Sequence, residues 1–362
     1  MQNYMKSLKR QNKTYLCRRE PGKVLRMRAV VDDKIPFLRG RLERLVEQVD
    51  YLPGHAISSA DLADADILIV RTRTRCDRSL LKGTAVRLVV TATIGYDHLD
   101  TDFLETAGIA WGNCPGCNAT SVRQYVLASL LVLGKADARH VAGVVGVGHV
   151  GSLIAEALRH RGMKVLCCDP LKGEPTQPLS ELARCCDIIT FHPNLTRTGP
   201  YPSYHLADAA FFDSLEKKPL IINTSRGEVV DNAALLQALR NGQVSGAVID
   251  TWEHEPDINL DLLRAVSIGT PHIAGYSADG KVNATNATLT QVARFLGKPW
   301  PASEVVSAPS LPPGFCYGHW ASEGPLRLYD PRVDCERLRA HPADFEHLRG
   351  NYPLRREREQ CQ

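Results

Sequence analysis

From Met27 onward the chain alternates short apolar runs with amphipathic stretches, the rhythm of parallel strands joined by crossover helices. The runs Met27–Val31, Asp66–Val70, Arg87–Ala92 and Ile109–Gly112 predict four strands of a first α/β unit. Apolar spacing over Phe37–Gln48 predicts a helix between the first two. A longer periodic stretch, Ala119–Leu133, predicts a helix that leads into a second and more regular series. Its strands fall at Ala142–Val147, Lys164–Cys168, Asp187–Phe191, Leu220–Thr224, Ala247–Asp250 and Val266–Ile268, with helices such as His149–Arg161 and Asn232–Arg240 between them. A further helix over Asp279–Leu296 carries the chain back towards the first unit. Beyond Trp300 the pattern changes: Pro299, Pro301, Pro309, Pro312 and Pro313 punctuate the chain ahead of a charged segment that includes Leu326–Asp330 and Asp344–Arg349.

Composition narrows the picture. With 362 residues, 44% hydrophobic and 23% charged, the chain has the make-up of a globular protein of two or three domains. The longest apolar stretch, Tyr125–Leu133, is too short for a bilayer, and the basic N-terminus has no apolar region after it, so we expect a cytoplasmic protein with no membrane partner. Residues 1–28 hold nine Lys/Arg against one acid, Glu20, so the formal charge of +4 reverses to −4 over the remainder. We read 1–26 as a basic, disordered extension and expect no nucleic-acid platform in the body. The 11 cysteines include the adjacent pairs Cys167–Cys168 and Cys185–Cys186 in segments that read as a strand and a helix end. Such thiols are expected to be reduced. Cys114 and Cys117 have redox-motif spacing but lie outside a thioredoxin-like pattern, and we expect no metal.

Gly146-Val-Gly148-His149-Val150-Gly151 fits G-x-G-x-x-G and sits after an apolar strand, where it opens a helix. The first glycine permits the tight turn, the second lets backbone approach a pyrophosphate, and the third lets helix pack close to strand. The helix N-terminus adds amide donors and a favourable dipole. Asp169 ends the next strand at the spacing of the carboxylate that accepts both ribose hydroxyls, and its charge would repel a 2′-phosphate. Strand, glycines and acid in register point to NAD as the cofactor. Six strands in two halves is the number such a sheet needs.

Three charged residues fall just past late strands, where open α/β sheets bind ligands: Arg226, Glu255 and His272. Oxidation of a 2-hydroxy acid needs a base for the hydroxyl proton, which suits His272. A carboxylate beside a histidine favours its protonated form and orients the ring, which suits Glu255. An arginine forks onto the substrate carboxylate, which suits Arg226. Each alone also fits a surface ion pair, a helix cap or a buried polar histidine, and His254 is best read in that plain way.

The segments Asn223-Thr-Ser-Arg226-Gly-Glu, Asp250-Thr-Trp-Glu-His-Glu255-Pro and Thr270-Pro-His272-Ile-Ala-Gly275-Tyr276 resemble the three active-site segments of the D-2-hydroxyacid dehydrogenases. The resemblance implies an acid/base role for His272, assistance from Glu255 and substrate binding by Arg226. It further implies cofactor contacts at His149, Val150, Asp169, Asp250 and Gly275, and substrate contacts at Thr72, Thr93 and Tyr276. Thr91–His98, Pro115–Asn118, Tyr204–Ala207 and Pro271–Tyr276 resemble one branch of that family, which implies a phosphorylated 2-hydroxy acid as substrate. Leu328–Arg332 through Tyr352–Arg356 resembles that branch's dimerisation domain, which implies a homodimer; general family members lack it. For the substrate phosphate, Arg71 and Arg75 share with Thr72 a loop just past a strand.

The expected organisation is therefore the basic extension 1–26, a discontinuous flavodoxin-like substrate domain at 27–117 and 274–298, a Rossmann NAD domain at 118–273, and a small α+β dimerisation domain at 299–362. One departure bears on the cofactor. His192-Pro193-Asn194-Leu195 stands where the family usually has a nucleotide-contacting threonine, and proline also removes an amide donor, which is expected to lower cofactor affinity. Two other readings remain open at this point: a dehydrogenase of another small acid such as glycerate or phosphoglycerate, and a non-catalytic NAD-sensing protein on the same fold.

Overall fold

A computed structural model of the chain describes residues 27–172, 176–318, 324–353 and 355–357. The extension expected over 1–26 lies outside them. The described residues divide into two compact units, one of 27–117 with 281–308, the other of 118–280 with those from 309 to 357.

The first unit is built on a five-stranded parallel sheet of β1 (Arg28–Asp32), β2 (Gln48–Leu52), β3 (Ile67–Val70), β4 (Leu88–Thr91) and β5 (Ala110–Gly112), ordered β2-β1-β3-β4-β5. That is the flavodoxin-like order, with its switch point between β1 and β3. All four residues of β3 and of β4 are buried, as expected for central strands covered on both faces. The helix expected over Phe37–Gln48 does not form. Leu38, Leu42, Leu45 and Val46 are buried at helix-like spacing, but Phe37 and Gly40 take φ of 64° and 81°, which no right-handed helix tolerates. Only a 3-10 turn, Leu42–Arg44, remains before β2. The strand at Gln48–Leu52 escaped the apolar pattern because it is an edge strand with mixed residues, none of them fully buried.

The second unit carries β6 (Val141–Val145), β7 (Lys164–Cys168), β8 (Ile188–Phe191), β9 (Leu220–Asn223), β10 (Gly246–Ile249) and β11 (Ile268–Gly269), all parallel in the order β11-β10-β9-β8-β6-β7. Alternate residues face opposite layers. Ile189, Phe191, Ile221, Ala247 and Ile249 pack with the helices Leu179–Cys185, Ala209–Asp213, Asn232–Arg240 and Leu260–Ala265. Ala142, Val144, Ile188, Ile222 and Val248 pack with Ala119–Val132 and His149–His160. Each fully buried valine, isoleucine or phenylalanine among them contributes about 1.5–3 kcal/mol of transfer free energy.

Residues from 309 onward group with this second sheet. Their described part holds the helices Pro325–Leu328, Pro331–Ala340 and Phe345–Gly350; the strand character expected there is represented by an isolated bridge between Ser277 and Arg355. The segment lies against the edge strand β11, where the Gly269 amide donates to Cys335 Sγ at 3.3 Å. Leu338 and Phe345 enter one core layer, and Tyr329, Cys335 and Tyr352 enter the other. An edge with unpaired backbone groups is thereby covered. Among the described residues no helix is long and apolar enough to cross a membrane.

Candidate active site

The glycine turn sits between β6 and the helix His149–His160, beside the point where the strand order reverses. Gly146 has φ 81°, and a Cβ there would lie 2.5 Å from the Pro193 nitrogen. A Cβ on Gly151 would meet the Gly146 carbonyl oxygen at 2.0 Å, so only glycine lets this helix approach β6. Gly148 is the N-cap residue and offers no side chain, so the first helix amides keep no side-chain cap and are left for a ligand. His149 is exposed and Val150 half-buried. Asp169 closes the turn from the end of β7: its Oδ2 accepts from the Val147 amide at 2.8 Å, its Oδ1 from the Leu171 amide at 3.1 Å. This carboxylate is fixed beside the glycine turn, as a ribose acceptor requires, and the donor set fits a dinucleotide.

On the other side of β6, at the end of β8, burial pushes the His192 imidazole down to about 3. The ring stays neutral between the hydroxyls of Thr190 (2.8 Å) and Thr224 (3.1 Å). Pro193 follows directly, and its nitrogen is the atom that crowds Gly146.

Further along the same C-terminal edge, the loops after β9, β10 and β11 come together, these strands being adjacent in the strand order. Asn223 clips the first loop: its Oδ1 accepts from the Ser225 amide (3.1 Å) and hydroxyl (2.8 Å), and its Nδ2 donates to the Arg226 carbonyl (2.8 Å). Gly227 then packs so closely that a Cβ would fall 2.0 Å from the Trp252 backbone. The loop bearing Arg226 therefore abuts the loop bearing Glu255.

Glu255 and His272 form a pair. His272 Nδ1 lies 2.8 Å from Glu255 Oε2 and 3.0 Å from Oε1. The Trp252 amide donates to Oε1 at 2.9 Å, and the Arg349 guanidinium donates to Oε2 at 3.4 Å. Burial by itself raises the Glu255 carboxyl, but the facing His272 and Arg349 and the Trp252 amide outweigh it and hold Glu255 below its ordinary range. The ring is thus pinned through Nδ1, which leaves Nε2 as the nitrogen for a substrate proton.

His272 occupies the left-handed region, φ 56°, a conformation that needs support in a non-glycine residue. Asp250 supplies it. Its Oδ1 accepts from the Ile273 amide (2.8 Å) and the Thr270 hydroxyl (2.7 Å), and its Oδ2 from the Ala274 amide (2.9 Å). Burial lifts the Asp250 carboxyl above its ordinary value against the pull of His272 and these donors. Trp252 Nε1 donates to the Thr270 carbonyl at 2.9 Å and ties the β10 and β11 loops together. Gly275 allows the loop to pass Asn118, whose Nδ2 a Cβ would meet at 2.2 Å. His254 sits exposed on its turn, in keeping with the plain reading.

Sequence reasoning missed Arg349 and Arg355. Arg355 is 1% exposed and donates to the carbonyls of Ile273 (3.1 Å), Tyr276 (3.0 Å) and Ala274 (2.7 Å), the stretch that follows His272. Both residues had stood as charges in a polar tail, and no periodicity marks them.

In the first unit, Thr72 is exposed just past β3, and Thr93, just past β4, donates its hydroxyl to the Gly95 carbonyl at 2.7 Å. Arg71, expected as a phosphate cation, already has a partner within its own unit. Its Nε and Nη2 fork onto the two oxygens of the fully buried Asp32 at 3.1 and 3.2 Å, so its charge serves that carboxylate. Arg75 pairs with Asp77 at 3.0 Å but leaves 80% of its side chain exposed. Among the described residues one group of metal-ligand type occurs, His205 with Asp231 and Glu253; the imidazole already lies 2.7 Å from Glu253 and 3.5 Å from Asp231.

Residues 122–274 match the D-isomer specific 2-hydroxyacid dehydrogenase NAD binding domain. The chain is 48% identical over 348 residues to erythronate-4-phosphate dehydrogenase of Bacteroides fragilis, covering 91% of this chain and 97% of that protein. It is 40% identical over 353 residues to the Escherichia coli protein of that name, covering 91% and 92%. Among solved structures, D-lactate dehydrogenase of Aquifex aeolicus, complexed with NAD and lactic acid, superposes with a TM-score of 0.67 at 25% identity over 75% of this chain and 95% of that one. A 3-phosphoglycerate dehydrogenase of Entamoeba histolytica shares the fold, with a TM-score of 0.64 at 23% identity over 75% and 95%. A dinucleotide cradle and a histidine–carboxylate pair on the same C-terminal edge of a Rossmann sheet define an NAD-dependent dehydrogenase. With relatives this similar over nearly their whole length, the chain belongs to the erythronate-4-phosphate dehydrogenases, within the D-isomer specific 2-hydroxyacid dehydrogenase family.

Proposed function

We propose that this protein oxidises 4-phospho-D-erythronate to 2-oxo-3-hydroxy-4-phosphobutanoate with NAD, on the route to pyridoxal 5′-phosphate. The observation that carries the reading is the His272–Glu255 pair, with Nδ1 committed at 2.8 Å and Nε2 left for the hydroxyl. His272 takes the proton from the C2 hydroxyl, and Glu255 balances the imidazolium that forms. Arg226 forks onto the substrate carboxylate beside the reacting carbon. Bound NAD accepts the hydride.

Gly146, Gly148, His149, Val150 and Gly151 cradle the pyrophosphate, and Asp169 takes the ribose hydroxyls. Asp250 and Gly275 act on the cofactor side by shaping the loop after His272. Thr72, Thr93 and Tyr276 contact the substrate, and the exposed Arg75 supplies charge to its phosphate while Arg71 holds Asp32. The protein works in the cytoplasm as a homodimer joined through its C-terminal segment, a reading supported by the likeness of that segment to the branch's dimerisation domain. Incubating purified protein with NAD and 4-phosphoerythronate, glycerate or 3-phosphoglycerate tests the proposal through NADH absorbance. NADH formed fastest from 4-phosphoerythronate is expected. Preference for 3-phosphoglycerate, or no NADH from any of them, overturns it.

A further inference from the structure

Glu255 and His272 stand on loops of the nucleotide sheet, yet two of their closest supports come from the far end of the chain. The helix Phe345–Gly350 delivers Arg349, which is only 9% exposed, to Glu255 Oε2 at 3.4 Å, the same oxygen that faces His272 at 2.8 Å. The Tyr276 hydroxyl bonds the same guanidinium. Six residues on, Arg355 grips the carbonyls of Ile273, Ala274 and Tyr276 and donates to Gln124 Oε1 at 3.0 Å.

We infer that Arg349 is a positioning residue for the acid/base pair: it fixes the Glu255 carboxylate in the orientation His272 needs, and so makes the C-terminal segment part of the active site. The inference rests on the acid/base roles proposed above.

A purely architectural role explains the arrangement poorly. Burying a guanidinium costs several kcal/mol, and an apolar side chain of similar size would serve packing better. Here the cost is compounded, since Arg349 Nε is buried with no hydrogen-bond partner among the described residues. What the charge does instead is meet Glu255. Burial disfavours the Arg349 cation, and Tyr276, Glu255 and Asp250 more than restore it. The groups facing the pair are therefore Arg349, Tyr276, Asp250 and the Trp252 amide.

The sign of the effect follows from charge alone. A cation beside the pair repels the proton that the pair shares, so its removal makes the pair hold that proton more tightly. Alcohol oxidation needs the deprotonated pair, so its acid limb moves to higher pH when the cation is lost.

The test compares full-length wild type with Arg349→Met and Arg349→Lys, using whichever hydroxy acid the wild type turns over best. Arg349→Met is expected to raise the acid limb of kcat/KM by roughly one pH unit. It is also expected to lower kcat about tenfold or more through lost orientation, while the Kd for NADH stays within about twofold. Arg349→Lys keeps the charge and loses the planar fork, so it restores the acid limb but not kcat. In a Glu255→Gln background Arg349→Met should lower kcat no further, because the orientation it supplies acts through that carboxylate. An acid limb that stays in place in Arg349→Met, or a Lys variant indistinguishable from Met, overturns the inference. Should Arg349→Met fail to fold, Arg349→Gln against Arg349→Lys gives the same contrast. Wild type without turnover on any hydroxy acid brings down the proposed function itself; active wild type with indifferent variants brings down the role of Arg349 alone.

Discussion

The two parallel sheets solve the same architectural problem and then use their C-terminal edges differently. After β9, β10 and β11 the loops are locked to one another: Gly227 abuts Trp252, Trp252 reaches Thr270, and Asp250 holds the amides after His272. After β3, Arg71 turns inward onto buried Asp32, while Thr72 and Arg75 stand in solvent. A charged residue just past a strand is thus a candidate for chemistry in both sheets, and its partner decides what it becomes. Where the partner is another reactive group, as for His272, the residue is poised. Where the partner is a buried carboxylate, as for Arg71, the charge is first committed to holding that carboxylate.

Substitutions can break that contrast at several strengths. The largest effect is expected from His272→Ala, which should lower kcat by about 10²–10⁴-fold while NADH binding, followed by fluorescence, stays intact. Activity within a few-fold of wild type would remove His272 from the chemistry.

Arg71→Met leaves Asp32 buried without its cation, so thermal unfolding should shift down by about 5 °C or more. Arg75→Met, at an exposed pair, should change stability by no more than about 0.5 kcal/mol and should instead raise KM for the phosphorylated substrate. Equal melting temperatures for the two variants would erase the distinction between them.

Asp169→Ala takes away the carboxylate fixed beside the glycine turn and should weaken NAD binding by about tenfold or more, a loss of about 1.4 kcal/mol, while narrowing the gap to NADP. Unchanged cofactor selectivity would place the ribose elsewhere.

The smallest effect is expected at Asp334, under the C-terminal segment. Burial pushes this carboxyl up to about 6, despite Arg355 and the hydroxyls of Tyr317 and Tyr352. A raised acid favours the protonated folded form, so its contribution is full below the unfolded value and is lost as pH rises through about 6. Asp334→Asn lacks that loss. Its melting temperature should gain on wild type by about 2–4 °C between pH 4 and 7, measured by calorimetry. A constant difference across that range would show that Asp334 does not titrate there.

Much of this was legible in the chain. The β6 run, the glycine turn and Asp169 lie within 30 residues, and each is dictated by local needs: a buried strand, a positive φ, a carboxylate at a strand end. Arg226, Glu255 and His272 were legible for a related reason, since each follows a strong apolar strand. The failures were equally physical. Apolar spacing at Leu38, Leu42, Leu45 and Val46 imitated a helix, because burial and helical period coincide over so short a stretch, while the backbone at Phe37 and Gly40 forbade it. The edge strand β2 was missed because a half-covered strand has no apolar run to show.

The sequence by itself determined which segments become strands, where the nucleotide turn lies and which side chains reach the sheet's C-terminal edge. Those properties depend on neighbours a few residues away, and period and side-chain type record them. The tertiary structure alone decided that Arg71 belongs to Asp32, 39 positions before it, and that Arg349 belongs to Glu255, 94 positions before it. Partners at such separations are chosen when layers pack and water leaves: a buried charge then takes the nearest compensating group in space, and nothing in the local pattern encodes which one that is.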